Sequence, residues 1–130
     1  MTAVIREGDA TTTGGRVLQT SGTLSWEERR LARMGDPVWC PTCAIVGFIA
    51  QGNPTFIDDC LAVATDGQAV RCKCPDGTHR LIASQNHLKA DMQATIDIPK
   101  DQARQARKHA KTLASALPAD AQCAVFFSSK

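Results

Sequence analysis

Three stretches of this chain echo one another in a fixed order, and that repetition restricts the fold more than any other feature. Gly8-Asp9 and Gly35-Asp36 each follow a short apolar-basic run, VIRE and LARM, and each leads through a turn-rich stretch to a short apolar run. The runs VLQTSG (17–22), FIAQGN (48–53) and LIASQN (81–86) align at offsets of 31 and 33 residues. Before the third, LAVATDG (61–67) stands in the place of the earlier Gly-Asp units. Three degenerate units of this length imply three similar supersecondary pieces packed about a common axis. The apolar runs are short, rich in β-branched residues and punctuated by Gly, Pro, Thr and Asp, so the units are strand and turn and the fold class is mainly β. Val17, Ile45, Val46, Phe48, Ile49, Leu81 and Ile82 are the expected inward side chains. One departure lies between Thr23 and Arg33. LSWEERRLAR has helical composition, and Ser25 with Glu28 fits a capping box, so this stretch is either an inserted helical turn or an irregular lead-in to a strand.

Past Asn86 the character changes. TIDIP (95–99) alternates like a short strand. Ala103, Ala106, Ala110, Leu113, Ala114 and Leu117 recur at three- and four-residue steps, which predicts a helix over about 101–117, stopped by Pro118. Cys123 to Phe127 reads as a last short strand. The expected organisation is a repeat unit over 1–86 and a strand-helix-strand extension over 87–130. The helix carries Lys100, Arg104, Arg107, Lys108 and Lys111, which reads as a solvated face.

A chain of 130 residues with 5% aromatic side chains struggles to bury enough apolar area alone, and such domains usually carry a staple. The six cysteines offer one. The N-terminus has no apolar signal-peptide core and no stretch approaches a membrane span, so folding in a reducing cytoplasm with no stable membrane anchor is expected. There, close cysteines mean metal more often than disulfide. Cys40-Pro-Thr-Cys43 and Cys72-Lys-Cys74 are two close pairs about thirty residues apart, the pattern of a four-thiolate tetrahedral site. Zinc suits soft thiolates without redox demand, and four protein ligands close the shell, so the role is structural. Two other readings compete, a thioredoxin-like redox pair, which lacks its βαβ context, and inert buried thiols. His79 lies close enough to Cys74 to substitute as a ligand. Cys60 and Cys123 are expected to be small core residues, and His87 and His109 surface residues. No Ser-His-Asp order, phosphate-cradling loop or H-E-x-x-H occurs, so no enzyme activity is expected. Asp58-Asp59 reads as a solvated turn.

Four motifs in order resemble the PAAR-repeat family: GDATTTGGRV (8–17), LARMGDPVWCPTC (31–43), QGNPTFIDD (51–59), and LAVATDGQAVRC (61–72) with LIAS (81–84). The resemblance covers about residues 4 to 85. It implies a small pointed β cone of three pseudo-threefold repeats with a metal near its apex, commonly zinc held by histidines and a cysteine. It implies a tip that docks on the blunt end of a trimeric type VI secretion spike protein, VgrG, one tip per trimer, and that carries or recruits an effector or adaptor, here through the C-terminal extension. It also implies a protein made in the bacterial cytoplasm and exported by type VI firing into the medium or a target cell. By this resemblance Thr13 and Asp66 stand where many members have histidine, Cys72 matches the family cysteine and Cys43 a second ligand. Cys40 and Cys74 are then the expected replacements, with Asp66 a further substitute. The competing functional class is a zinc-ribbon nucleic-acid binder, with CPTC and CKC as knuckles and the basic helix on phosphates. The low net charge of +2 speaks against it, and no nucleic acid is expected as a partner.

Overall fold

The computed structural model describes residues 2–42, 44–74 and 77–116. Among the described residues, twelve short strands precede one helix. They are β1 (Thr2–Ala3), β2 (Arg16–Val17), β3 (Ser25–Trp26), β4 (Arg29–Arg30), β5 (Pro37–Cys40), β6 (Ile45–Ile49), β7 (Gln51–Asp58), β8 (Leu61–Val63), β9 (Ala69–Arg71), β10 (His79–Arg80), β11 (Lys89–Ala90) and β12 (Ile96–Asp97); the helix is α1 (Lys100–Ala116). The protein is mainly β, as its punctuated apolar runs require.

The threefold repeat appears as rings of backbone hydrogen bonds. Ile5 N donates to Ala64 O, Ala64 N to Ala32 O, and Ala32 N back to Ile5 O, each at 2.9 Å. A second cycle runs from Leu18 N to Pro37 O, Ala50 N to Ala69 O and Ile82 N to Ala10 O, again at 2.9 Å. Each step passes from one repeat to the next and the third returns to the first, so no repeat is complete alone. The rings fix the true correspondence: Ile5, Ala32 and Ala64; Asp9, Asp36 and Gln68; Val17, Ile49 and Leu81. The second apolar run therefore aligns on Ile49 and not on Phe48. A one-residue slip in a strand reverses every side chain. Phe48 accordingly turns away from the axis and packs with Met34, Ala50, Ala62, Ile98, Ala103 and Ala106.

Five strands in the order β10-β9-β6-β5-β2 form the main sheet. Its edges meet through the Ala10–Arg16 and Thr11–Leu81 bridges, so three hairpins close around the axis. Inside lie Ile5, Ala32 and Ala64 at the ring, then Val17, Ile49 and Leu81 with Val38 and Val70, all at most 3% exposed. Thr11 takes the position of Val38 and Val70 in the first repeat and is also buried. Alternation turns the next residues two along, Thr13, Cys40 and Cys72, to the same inner face. On the other side of the ring Val4, Leu31 and Val63 form a second cluster, covered by Phe56 and Leu88. Ile82 is 42% exposed, contrary to expectation, because it follows inward Leu81. Ile45 and Val46 are half-buried.

Each Gly-Asp unit is a turn with glycine at positive φ, +87° at Gly8, +96° at Gly35 and +86° at Gly67. The following side chain accepts the amide three residues back: Arg6 N to Asp9 at 2.8 Å, Arg33 N to Asp36 at 2.7 Å and Thr65 N to Gln68 at 2.8 Å. In the first two repeats a buried arginine braces the turn, Arg6 Nη2 on Ser84 Oγ and Arg33 Nη2 on Ser21 Oγ, both at 2.8 Å. In the third repeat the arginine and aspartate positions are held by uncharged Thr65 and Gln68, and the chain past Asn86 fills in. Gln68 Nε2 donates to Ala94 O at 3.3 Å, and Asn53 Nδ2 to Met92 O at 2.6 Å. β11 pairs with β1 and β12 with β7. The helix then lays Ala103 and Ala106 over Phe48.

The stretch 23–33 contains no helix. It is a hairpin, β3 against β4, with Glu27 and Glu28 at φ of +52° and +69°. Tertiary contacts override the local propensity: Arg29 donates from Nε to Glu7 O at 2.7 Å and meets Asp9 at 2.5 Å, and Arg6 donates to Trp26 O at 3.2 Å. Asp58 is not solvated. It is 2% exposed and accepts from the Thr23 hydroxyl and the Thr23 and Leu24 amides. Cys60 is exposed, in the β7–β8 turn at φ +71°, so it is not a core residue. His87 and His109 are exposed. Leu117, Pro118 and the expected strand with Cys123 lie outside the described residues.

Candidate metal centre

The candidate ligands come together at one end of the closed hairpins. Cys40 ends β5, Cys72 and Cys74 follow β9, and His79 opens β10. Their donor atoms all lie within 4.8 Å of one another. Cys40 Sγ is 3.2 Å from His79 Nε2 and 3.2 Å from Cys72 Sγ. The latter is far beyond a disulfide bond of about 2.05 Å. Ligands held at ~2.0–2.3 Å from one tetrahedral ion would sit roughly 3.3–3.8 Å from each other, so the donors are near the spacing such an ion requires. Cys40 and His79 are each 2% exposed, and Cys74 N approaches Cys72 Sγ at 3.5 Å. Three soft sulfurs and one imidazole, with no carboxylate among them, form a set that fits a thiophilic metal.

The repeat explains how this set assembles. Cys40 and Cys72 are equivalent residues, four past Asp36 and Gln68, and Thr13, four past Asp9, is the third. His79, two before Leu81, corresponds to Gly15 and Gly47. At those glycines the strands close tightly: a Cβ on Gly15 would stand 2.2 Å from Trp39 O, and one on Gly47 2.3 Å from Arg71 O. Of these three equivalent positions, only the one in the third hairpin carries a side chain, and it is an imidazole.

Of the sequence-predicted ligands, Cys40, Cys72 and Cys74 are brought together, and Cys43 lies outside the described residues. His79, expected as a substitute, is a full member of the group. Asp66 is exposed in the third Gly turn, where its carboxylate accepts from Ala83 N at 2.8 Å, and it is not in the cluster. Thr13 was missed as a participant: its hydroxyl is hydrogen-bonded to His79 Nδ1. Counting four residues on from each Gly-Asp unit, instead of matching apolar runs, would have found it beside Cys40 and Cys72.

Against known proteins, a family model of the PAAR motif matches residues 7–75, just over half the chain. The match takes in Cys40, Cys72 and Cys74 and ends before His79. No curated protein and no solved structure shows significant similarity. Among the described residues no helix is long and apolar enough to cross a membrane.

Proposed function

Because the chain belongs to the PAAR-motif family, we propose that it is the tip of a type VI secretion spike, seated on the blunt end of a trimeric VgrG-type protein with one tip per trimer. The observation that carries this reading is the cyclic backbone pairing of Ile5, Ala32 and Ala64. A single chain with pseudo-threefold symmetry offers each subunit of a true trimer a similar surface. The work is mechanical. Rigidity comes from the closed hairpins and the metal, and no residue need act on a substrate. The group of three sulfurs and one imidazole nitrogen is a structural zinc site, since four protein ligands leave no open position. The protein is made in the bacterial cytoplasm and leaves with the fired spike, with an effector or adaptor recruited through the C-terminal extension.

Co-purification with the trimeric spike protein of the same secretion system tests the assignment. One chain per trimer is the expected stoichiometry, and three chains per trimer or no complex would overturn it. Duplex DNA titrated at two salt concentrations separates this reading from a zinc ribbon, because counterion release makes phosphate binding steeply salt-dependent. No salt-sensitive binding is expected.

A further inference from the structure

We propose that Thr13 is a positioning residue that holds His79 in the orientation and tautomer needed to present Nε2 to the metal. The proposal rests on the metal reading above and adds a residue outside the ligand set.

Three observations converge on it. First, Thr13 occupies the position equivalent to Cys40 and Cys72, so its side chain reaches the same level of the axis. A hydroxyl there is a poor ligand for a thiophilic ion, and the imidazole comes instead from the hairpin next to it. Second, His79 faces two ways, with Nε2 3.2 Å from Cys40 Sγ and Nδ1 hydrogen-bonded to Thr13 Oγ1. Third, Thr13 is itself backed. Gly15 N donates to Thr11 Oγ1 at 2.8 Å, and Thr11 Oγ1 lies 3.3 Å from Thr13 Oγ1. Thr11 replaces the Val38 and Val70 of the other repeats, and a buried hydroxyl in an apolar layer is costly without partners. Here it has two.

The contacts accommodate one complete set of donors: Thr11 accepts from the Gly15 amide and gives its hydroxyl hydrogen to Thr13, the Thr13 oxygen accepts from Nδ1–H, and the Nε2 lone pair is left for the metal. A ring held by its second nitrogen loses little freedom on metal binding, and removal of such a partner typically costs about 10–100-fold in affinity. The first repeat thus supplies no ligand; its two threonines orient the ligand that the third repeat supplies.

The test uses the full chain. Zinc affinity is measured by chelator competition for wild type, Thr13→Val and Thr13→Ser, and the chain loaded with cadmium-113 is examined by NMR for metal–nitrogen coupling at His79. The expectation is one metal per chain, coupling to Nε2 with Nδ1 protonated, a loss of about 10–100-fold in Thr13→Val, and recovery in Thr13→Ser. If wild type binds no metal, the zinc reading fails and this proposal falls with it. If wild type binds and Thr13→Val binds equally well, the positioning role is overturned and the zinc reading stands. Coupling through Nδ1 in wild type also overturns it, even where Thr13→Val does not fold.

Discussion

Gly47 sets how closely β6 can approach Arg71 and Cys72. A methyl there would meet Arg71 O at 2.3 Å and Cys72 Cβ at 3.0 Å, and the first contact is with backbone, which cannot swing away. Gly47→Ala should destabilise by roughly 1–3 kcal/mol, the usual cost of overpacking. It should also weaken metal binding by displacing Cys72, read together as denaturant midpoint and zinc affinity. The two buried aspartates make a second, opposed pair. Burial dominates at Asp36 and raises its carboxyl despite hydrogen bonds from Ser21 and Arg33. At Asp58 burial also pushes upward, but the Thr23 hydroxyl, the Leu24 and Thr23 amides and the Arg33 charge outweigh it and hold the carboxyl below its ordinary value. A lowered native value gives stability that is present above the unfolded value of about 3.9 and lost as pH falls through the native one. A raised native value does the reverse, so protonating Asp36 adds stability on acidification. Urea midpoints at stepped pH should therefore fall less steeply than wild type in Asp58→Asn and more steeply in Asp36→Asn, and the opposite order would contradict both assignments. None of this was legible in the sequence, where Asp58-Asp59 reads as a turn, because the donors that bury Asp58 come from residues about 35 positions away.

At the scale of elements, the two tight hairpins use residues that sequence rules would not choose. Glu27-Glu28 and Asp59-Cys60 occupy the two central positions of their turns, all with positive φ. Asn-Gly or Asp-Gly is the usual choice there, since the turn matches the strand twist only with both residues left-handed. The LSWEERR stretch looks helical for this reason: its local composition favours a helix, and long-range contacts, among them those of Arg6, Arg29, Asp9 and Asp58, impose the hairpin. Glu28→Gly should stabilise the protein by roughly 1 kcal/mol by relieving the left-handed strain, and Cys60→Gly should do the same. The sign is diagnostic, because a glycine inside a helix would cost about 1 kcal/mol. A lower thermal midpoint for Glu28→Gly would argue for the helical alternative. The existence of strands near 17, 49 and 81, and of the helix, was readable from period and punctuation. The one-residue register of the second strand was not, since both Phe48 and Ile49 are apolar and only the hydrogen-bond rings distinguish them.

Across the whole molecule, the repeats and the segment after Asn86 form one structure. The sequence shows a change of character at that point because the repeat ends there. It does not show that the third repeat has traded an arginine and an aspartate for Thr65 and Gln68, nor that Gln68 and Asn53 take Ala94 O and Met92 O as partners. Tip and brace are therefore interdependent. Deleting residues 87–130 would strip β11 from β1 and β12 from β7, leave Asn53 without its acceptor in the core, and uncover Met34, Phe48, Ala50 and Ala62. At about 25 cal/mol per Å² of apolar surface returned to water, uncovering several such side chains costs several kcal/mol, a large part of the stability of a domain this size. The expected result for the 1–86 chain, compared with the full chain at saturating zinc, is a thermal midpoint lower by ten degrees or more, on the order of 4–8 °C per kcal/mol, with strong binding of a hydrophobic dye. The ring at Ile5, Ala32 and Ala64 and the four residues of the candidate metal centre all lie within 1–86, so on the zinc reading metal stoichiometry should survive at low temperature even as the midpoint falls. A truncated chain as stable as the full one, and silent to the dye, would mean that the extension only rests on the cone and that the Phe48 cluster contributes little to holding it together.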